Sequence, residues 1–533
     1  MAEESYASRS STSREDNHSS DNNSRQYANP NSWEELEDIY QRKRRKYNES
    51  ISDDSDHDEG PRQDRISALP DSILLCILSS LPTKDAIQTG VLSKRWAYLW
   101  TSVPSLSFSN EYWGDADDFA SDIDNTLILH RATKLTNFSV VTDYDSGLKP
   151  RLDLWVRFAT TAKVDKLMLS LSSNPYSTNS KAYVLPQHLY ANEFVSELEF
   201  NFCKIKPSGV VNLSSLKRLC IGDTEIDDNA IKKVVMGSPR LEYLGLYNCC
   251  QVNRLEIASE SLKKLVIRDY YMRSSVVKYG LELEIVAPKI ESLEILGSFT
   301  EKKFRIKDVS SLVEAKLDFN ISTFVHIYEE DDYLGYQETV RELLQSLRHV
   351  KELTVGRWCL MVLSIMSVKH LPFPLSKCKC LTMKTCMNKS DLLGIASLLQ
   401  SSPYVETLVI DIESSYLPMF QHLENYYCCC SGNYDEVSHW KSKEIYFMSL
   451  LLRLKTVKIF GFGEGVLYIK EVFILVVQFL LENAKVLEKM VFCEPRVKQN
   501  QTFNMLQEFL QVAQKLLSFP RSSPSAVVMF PYH

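Results

Sequence analysis

The sequence predicts an α/β chain. A small all-α unit comes first, an irregular repeat solenoid follows, and a C-terminal αβ module closes it. Three observations predict this order. A dense helical hairpin occupies residues 69–100. From about residue 160 a short phrase of the form apolar-x-x-apolar-x-apolar returns again and again. From Leu454 onward the periodicity switches to strand, helix, strand, helix. With 533 residues and 44% apolar content, the chain has room for two or more domains and a substantial core.

The N-terminal stretch, residues 1–62, is rich in Ser, Asn, Asp and Glu and poor in apolar side chains, the composition of a disordered tail. The first sixty residues hold 8 basic and 15 acidic side chains and so account for the whole net charge of −7. The remainder carries 53 of each sign, which argues against a nucleic-acid-binding core. Within the tail lies Arg42, Lys43, Arg44, Arg45 and Lys46. This contiguous cluster reads as a nuclear import signal; the alternative is a solvated charge run balanced by the acidic residues 53–59.

The hairpin is read element by element. Pro70 fits a first helical turn, where a missing N–H costs nothing, and Asp71 and Ser72 supply acid and capping chemistry there. Ile73, Ile77 and Leu81 recur at spacing four, with Leu74 and Leu78 beside them, giving one wide apolar face. Pro82 ends this helix, Thr83 can cap a second, and Gly90 breaks it. Val91, Leu92 and Ser93 then lead to a third helix with Trp96, Leu99 and Trp100. So small a unit exposes more apolar surface than it can bury alone and needs a partner.

These residues resemble an F-box, the motif that docks on a Skp-type adaptor in cullin-based ubiquitin ligases. The match lies in Leu69-Pro70, the face of Ile73, Leu74, Ile77 and Leu78, Leu81-Pro82, and the run Val91-Leu92-Ser93-Lys94-Arg95-Trp96, which is very like the plant form. The resemblance implies that Leu69, Pro70, Ile73, Leu74, Ile77, Leu78, Leu81, Pro82, Val91, Leu92 and Trp96 bind the adaptor.

The recurring phrase begins at Val164, Val195, Leu216, Leu241, Leu262, Ile290, Leu312, Val350 and Val405, at intervals of 21 to 55 residues. Its second half alternates with period two, as a strand with one buried face does. Such intervals are the signature of leucine-rich repeats, whose stacking makes a parallel sheet on the concave side of a solenoid. Ser238-Pro239 and Ser402-Pro403 stop the preceding helix before two of the phrases. Outward positions beside the buried strand residues, namely Lys217, Arg218, Glu242, Tyr243, Lys263 and Lys264, are the expected target-binding positions, with Glu291 and Glu294 beyond them. Residues 319–339 and 411–446 are atypical insertions read as rim loops.

The C-terminal segment resembles the FBD module that follows F-box and repeat regions in plant proteins. The similar residues run 454–462, 476–492 and 516–526. The expected organisation is therefore a tail over 1–62, an F-box over 63–108, a leucine-rich-repeat solenoid over 109–453 and an FBD module over 454–533. The glycine-rich stretch from Gly461 to Gly465 is read as a hairpin-type turn, since no Lys-Ser/Thr follows to make a phosphate loop.

Nothing in the chain nominates a nucleophile and base: no Gly-x-Ser-x-Gly, HExxH or kinase signature is present. The 13 cysteines lack paired CxxC spacing, so neither Cys378, Cys380 and Cys386 nor Cys428–Cys430 with His422 and His439 reads as a zinc site, and no metal or cofactor is expected. Asn248-Cys249-Cys250 reads as small residues filling a tight turn. The N-terminus has no apolar leader and the longest apolar runs are too short to cross a bilayer, which places the protein in the nucleus or cytoplasm with free thiols. The resemblances imply a substrate-recognition subunit of a Skp–cullin–F-box ubiquitin ligase. It would bind the adaptor, through it a cullin, and a protein target, with no catalytic residue of its own. The alternative is a repeat-based interaction scaffold without a ubiquitin role, whose N-terminal helices merely cap the solenoid.

Overall fold

The computed structural model describes residues 66–530, apart from 67, 111–115, 174–180, 250, 271–281, 301–302, 323–329, 369–376, 414–434, 444–446, 462–469 and 494–502. The basic cluster at 42–46, most of the 411–446 insertion and Cys250 lie outside the described residues. The chain divides into two compact units, residues 1–68 with 88–98 and residues 69–87 with 99–533.

In the first unit a 3-10 turn, Thr89–Val91, precedes the helix that begins at Trp96. The Leu92 amide donates to the Thr89 carbonyl and the Ala97 amide to that of Ser93. Gly90 lets the two stretches touch: a Cβ there would stand 3.3 Å from the Ala97 Cα. Trp96 is buried, whereas Leu92 and Tyr98 are exposed.

The second unit opens with the helix Asp71–Ser79. Pro70 sits one position before it rather than inside its first turn, with φ −58° and ψ 148°. Its carbonyl accepts the Ile73 and Leu74 amides, and no side chain caps the helix, so the capping expected of Asp71 and Ser72 is supplied by backbone instead. Pro82 then leads into the helix Thr83–Gln88. The Thr83 hydroxyl does not cap this helix; it accepts the Ser107 amide at 2.7 Å and so ties the helix to the first strand.

The strands follow in chain order. They are β1 (Ser105–Ser109), β2 (Asn137–Tyr144), β3 (Lys166–Ser173), the short β4 (Tyr183–Val184), β5 (Glu197–Asn201), the short β6 (Cys203–Lys204), β7 (Arg218–Gly222), β8 (Tyr243–Tyr247), β9 (Arg254–Glu256) and β10 (Lys264–Tyr270). They continue as β11 (Glu282–Val286), β12 (Ser292–Thr300), β13 (Lys303–Asp308), β14 (Glu314–Ser322), β15 (Glu352–Val355), β16 (Cys380–Thr385), β17 (Thr407–Ile412), β18 (Thr456–Phe460), β19 (Lys489–Phe492) and β20 (Val527–Met529). Among the described residues fifteen of these form one sheet, in the order β1-β2-β3-β5-β7-β8-β10-β12-β14-β15-β16-β17-β18-β19-β20. Every pairing in it is parallel, for example Leu219 opposite Leu244 and Leu244 opposite Leu265.

The register explains the recurring phrase. Its middle apolar residue falls at one column of the sheet: Leu167, Leu198, Leu219, Leu244, Leu265, Leu293, Ala315, Leu353 and Leu408 are each at most 3% exposed. Burying one such leucine contributes on the order of 2 kcal/mol, and no single repeat could bury it alone. The last loop residue before most strands of the large sheet repeats a backbone device. The Lys217 carbonyl accepts the amides of both Glu242 and Tyr243, and the Glu242 carbonyl those of Lys263 and Lys264; the pattern runs on to Lys455, which takes Glu488 and Lys489. Behind the packed face lie two small parallel sheets, β4-β6 and β9-β11-β13, and helices that include Asp228–Met236, Arg357–Val368, Lys389–Gln400 and Lys470–Asn483.

The structure corrects the sequence reading in three places. β2 and β16 carry the phrase too, starting at Leu135 and Cys378, the second hidden by a cysteine in the apolar slot. The two small sheets lie outside the sequence reading because most of their strands do not carry the recurring phrase. Gly461 adopts φ 75°, yet it does not open a hairpin: β18 pairs in parallel with both β17 and β19, so the chain must cross over before it returns.

Candidate partner-docking surfaces

The helix Asp71–Ser79 presents two apolar faces rather than one. Leu74 and Leu78 are fully buried and the helix packs on the turn Trp100–Ser102. Ile73 and Ile77, one helical turn apart, are 48% and 44% exposed. Pro70 and Cys76 are exposed, and Leu69, Leu81, Pro82 and Val91 are half-buried. Of the residues expected to bind the adaptor, Leu74 and Leu78 are buried within the second unit and Trp96 is buried in the first. Helical spacing could not separate the two faces, since the helix is apolar on both sides. A water-exposed Ile pair on an ordered helix is a surface without an internal partner.

The target-binding set splits as well. Lys217, Glu242 and Lys263 are the loop residues whose carbonyls form the backbone ladder, so they line the rim at the strand starts and are exposed. Glu291 continues this row. Only Arg218, Tyr243 and Lys264, together with Glu294, stand on the open face of the sheet itself. The sequence marks the phrase but not the residue at which strand geometry begins, which is why the two rows were merged.

On the open face several charges pair across strands. Lys264 reaches Glu294 at 2.5 Å, and that bond holds the lysine pKa above its usual range against the opposing effect of burial. Lys384 lies 2.8 Å from Asp318 and 3.0 Å from Glu413. Burial opposes its charge, but the two carboxylates more than offset that and raise its pKa. Asp318 on β14 reaches Lys384 on β16 across β15, where Gly356 follows the strand; a Cβ at Gly356 would stand 2.8 Å from the Asp318 Cα. On the rim, Lys263 pairs with Glu242 at 3.9 Å and Lys455 with Glu406 at 3.1 Å, in exposed geometry worth little.

A second kind of surface occupies β7, β8 and β10. The Arg218 guanidinium stacks 3.7 Å above the Tyr243 ring, and the Tyr243 and Tyr247 hydroxyls hydrogen-bond at 2.7 Å. The Tyr247 ring lies over Gly245, where a Cβ would come within 2.6 Å of it. Burial, and then the bond to Tyr243, push the Tyr247 hydroxyl pKa up, so it stays protonated. Tyr247 and Arg268 escaped the sequence reading because they fall beyond the six-residue phrase.

Among the described residues no group of three His, Cys, Asp or Glu side chains is placed to hold a metal ion, and no helix is long and apolar enough to cross a membrane. Cys378 and Cys386 are buried and Cys380 is half-buried on β16, and Cys249 fills a tight turn, donating to the Ile221 carbonyl.

A family model for an F-box domain matches residues 66–108, and one for the leucine-rich-repeat domain of At1g61320/AtMIF1 matches residues 128–519. Fold and surfaces thus define the class, F-box proteins with a leucine-rich-repeat domain, and the chain belongs to that family. It is 37% identical to the putative F-box protein At1g49610 of Arabidopsis thaliana over 352 residues, 65% of this chain and 84% of that protein. It is 31% identical to the putative F-box/LRR-repeat protein At3g18150 of the same plant, across 80% of this chain and 86% of that one. F-box/LRR-repeat protein At5g02910, also from Arabidopsis thaliana, is 32% identical, with 80% and 88% covered.

Proposed function

We propose that this protein is a substrate-recognition subunit of a Skp–cullin–F-box ubiquitin ligase, with the F-box docking the adaptor and the repeats capturing a protein target. The observation that carries the reading is the exposed Ile73–Ile77 pair inside the segment that matches the F-box family. Catalysis here is proximity: the chain holds a target beside a ubiquitin-conjugating enzyme supplied by the complex and needs no nucleophile of its own. The alternative, a scaffold whose N-terminal helices cap the repeats, would cover Ile73 and Ile77, and their exposure supports the first reading. Residues 454–533 are assigned to an FBD module that adds the last rungs of the same sheet, and the 42–46 cluster to nuclear import. Two experiments test this. Ile77→Asp in the full chain, co-expressed with a Skp-type adaptor, abolishes co-purification while circular dichroism stays unchanged; undiminished adaptor recovery refutes the reading. Neutralising residues 42–46 shifts a fluorescent fusion from nucleus to cytoplasm, or the import assignment fails.

A further inference from the structure

We infer that the β7–β8–β10 patch of the open face is the point of target capture, and that it takes an extended acidic peptide segment whose two carboxylates are received by Arg218 and Arg268. The inference rests on the proposed target-recognition role and deepens it. Its basis is a contrast in charge pairing. Lys264 on the same face is neutralised by Glu294, and Lys384 by Asp318 and Glu413. Arg218 and Arg268 have no carboxylate partner among the described residues, and Arg268 is exposed. On the diagonal between them the register places Cys220, Gly245 and Val266, with Tyr243 and Tyr247, and the Lys264 charge beside Tyr243 is taken up by Glu294.

The geometry fixes what can sit there. Arg218 is opposite Tyr243, which is opposite Lys264; Arg268 stands four residues further along β10. Two strand spacings of about 4.8 Å and four rises of about 3.3 Å put the two arginines roughly 16 Å apart, the span of about five residues of an extended peptide. The stacked guanidinium of Arg218 loses little freedom on receiving a carboxylate, and its planar fork suits two parallel bonds. The tyrosine pair gives the segment between the two acids an aromatic floor, the residue type that concentrates binding energy at interfaces. Glu199, opposite Cys220 on β5, repels further acidic residues on that side and so limits how far the segment extends.

The test uses the full chain co-purified with its adaptor and a fluorescein-labelled peptide carrying two aspartates about five residues apart with a phenylalanine between them. Anisotropy should report saturable binding that weakens with salt. The peptide with both aspartates changed to asparagine should not bind. The Arg218→Ala/Arg268→Ala variant should bind at least about ten-fold more weakly. Arg218→Lys, which keeps the charge but loses the stacked fork, should fall between. Equal binding of the asparagine peptide, unchanged binding by the double alanine variant, or no saturable binding by the wild-type complex overturns the inference. A phosphoserine peptide that binds where the aspartate peptide does not also overturns it, because the pocket would then read phosphate. Adaptor recovery measured on the same preparations keeps the two readings apart: its loss in the wild type refutes the ligase role, whereas its retention with failed peptide capture refutes only the patch.

Discussion

The F-box helix and the open face of the sheet leave surface for partners in opposite ways. The helix Asp71–Ser79 holds two isoleucines in water that no described residue covers. The sheet face is polar and pairs several of its charges across strands, and it carries an aromatic patch whose arginines have no carboxylate partner among the described residues. An uncovered aliphatic pair favours a constitutive partner, since leaving it in water costs free energy at all times. A face whose charges are partly paired favours a selective partner, because a wrong one must break existing pairs to bind.

Several changes break or sharpen that contrast, in order of expected size. Leu78→Ala, on the buried side of the helix, should cost about 3 kcal/mol of stability and lower the melting temperature, whereas Ile77→Asp on the other side should leave stability intact and remove adaptor binding. If both variants lose adaptor with equal loss of structure, the two-faced helix is wrong. Gly356→Val should cost about 2 kcal/mol by driving a side chain into the β14 backbone and should break the Lys384–Asp318 pair, read by thermal melting, while adaptor recovery stays normal.

Asp122→Asn tests a cost rather than a contact. Burial, then the neighbouring Asp118, push the Asp122 carboxyl from 3.8 to about 6 against the pull of Lys84. The folded chain thus holds this proton more tightly than the unfolded chain does, so stability falls as pH rises from about 4 to about 6 and the full cost applies above that. The asparagine variant should be more stable at pH 7.5 by about 1 kcal/mol after solvent screening, with no gain at pH 3.5. A gain at both pH values would point to packing instead. The smallest effect belongs to the rim. Lys263→Ala should change stability by less than about 0.5 kcal/mol, since its pair with Glu242 is exposed. Charge reversal of Lys217, Lys263 and Lys264 together should weaken target capture mainly through Lys264, and a pull-down in which Lys217→Glu alone has the full effect would move recognition to the rim.

Most of the solenoid was legible because its signal is an apolar residue at a fixed place in each repeat. Leu219, Leu244 and Leu265 must stack in one column, so the phrase survives wide changes in repeat length. β16 escaped because Cys378 fills the first slot, and β11 and β13 because they do not carry the recurring phrase: Gly280 and Glu301 stand where its first apolar residue would fall before Leu283 and Phe304. The docking surfaces were half legible. Composition marked residues 69–100 as needing a partner, but an apolar helix gives no sign of which face its own chain will cover, so Leu74 and Leu78 could not be told from Ile73 and Ile77. Arg268 and Tyr247 lie past the phrase, and their importance depends on which neighbours lack a counter-charge, a property of register rather than of local sequence.

The ladder of paired amides at the strand starts bears on how the protein is made. Among the described residues, every strand of the large sheet after β1 is laid beside the strand of that sheet that precedes it in the sequence, and at nearly every one the two amides at its start find a carbonyl already in place. A chain leaving the ribosome can add rung upon rung without waiting for later residues, as stacked repeats with only neighbour contacts allow. Shortening from the C-terminus should therefore shed rungs singly and leave a soluble remainder. Excising an interior rung demands that two strands never meant to meet find a common register.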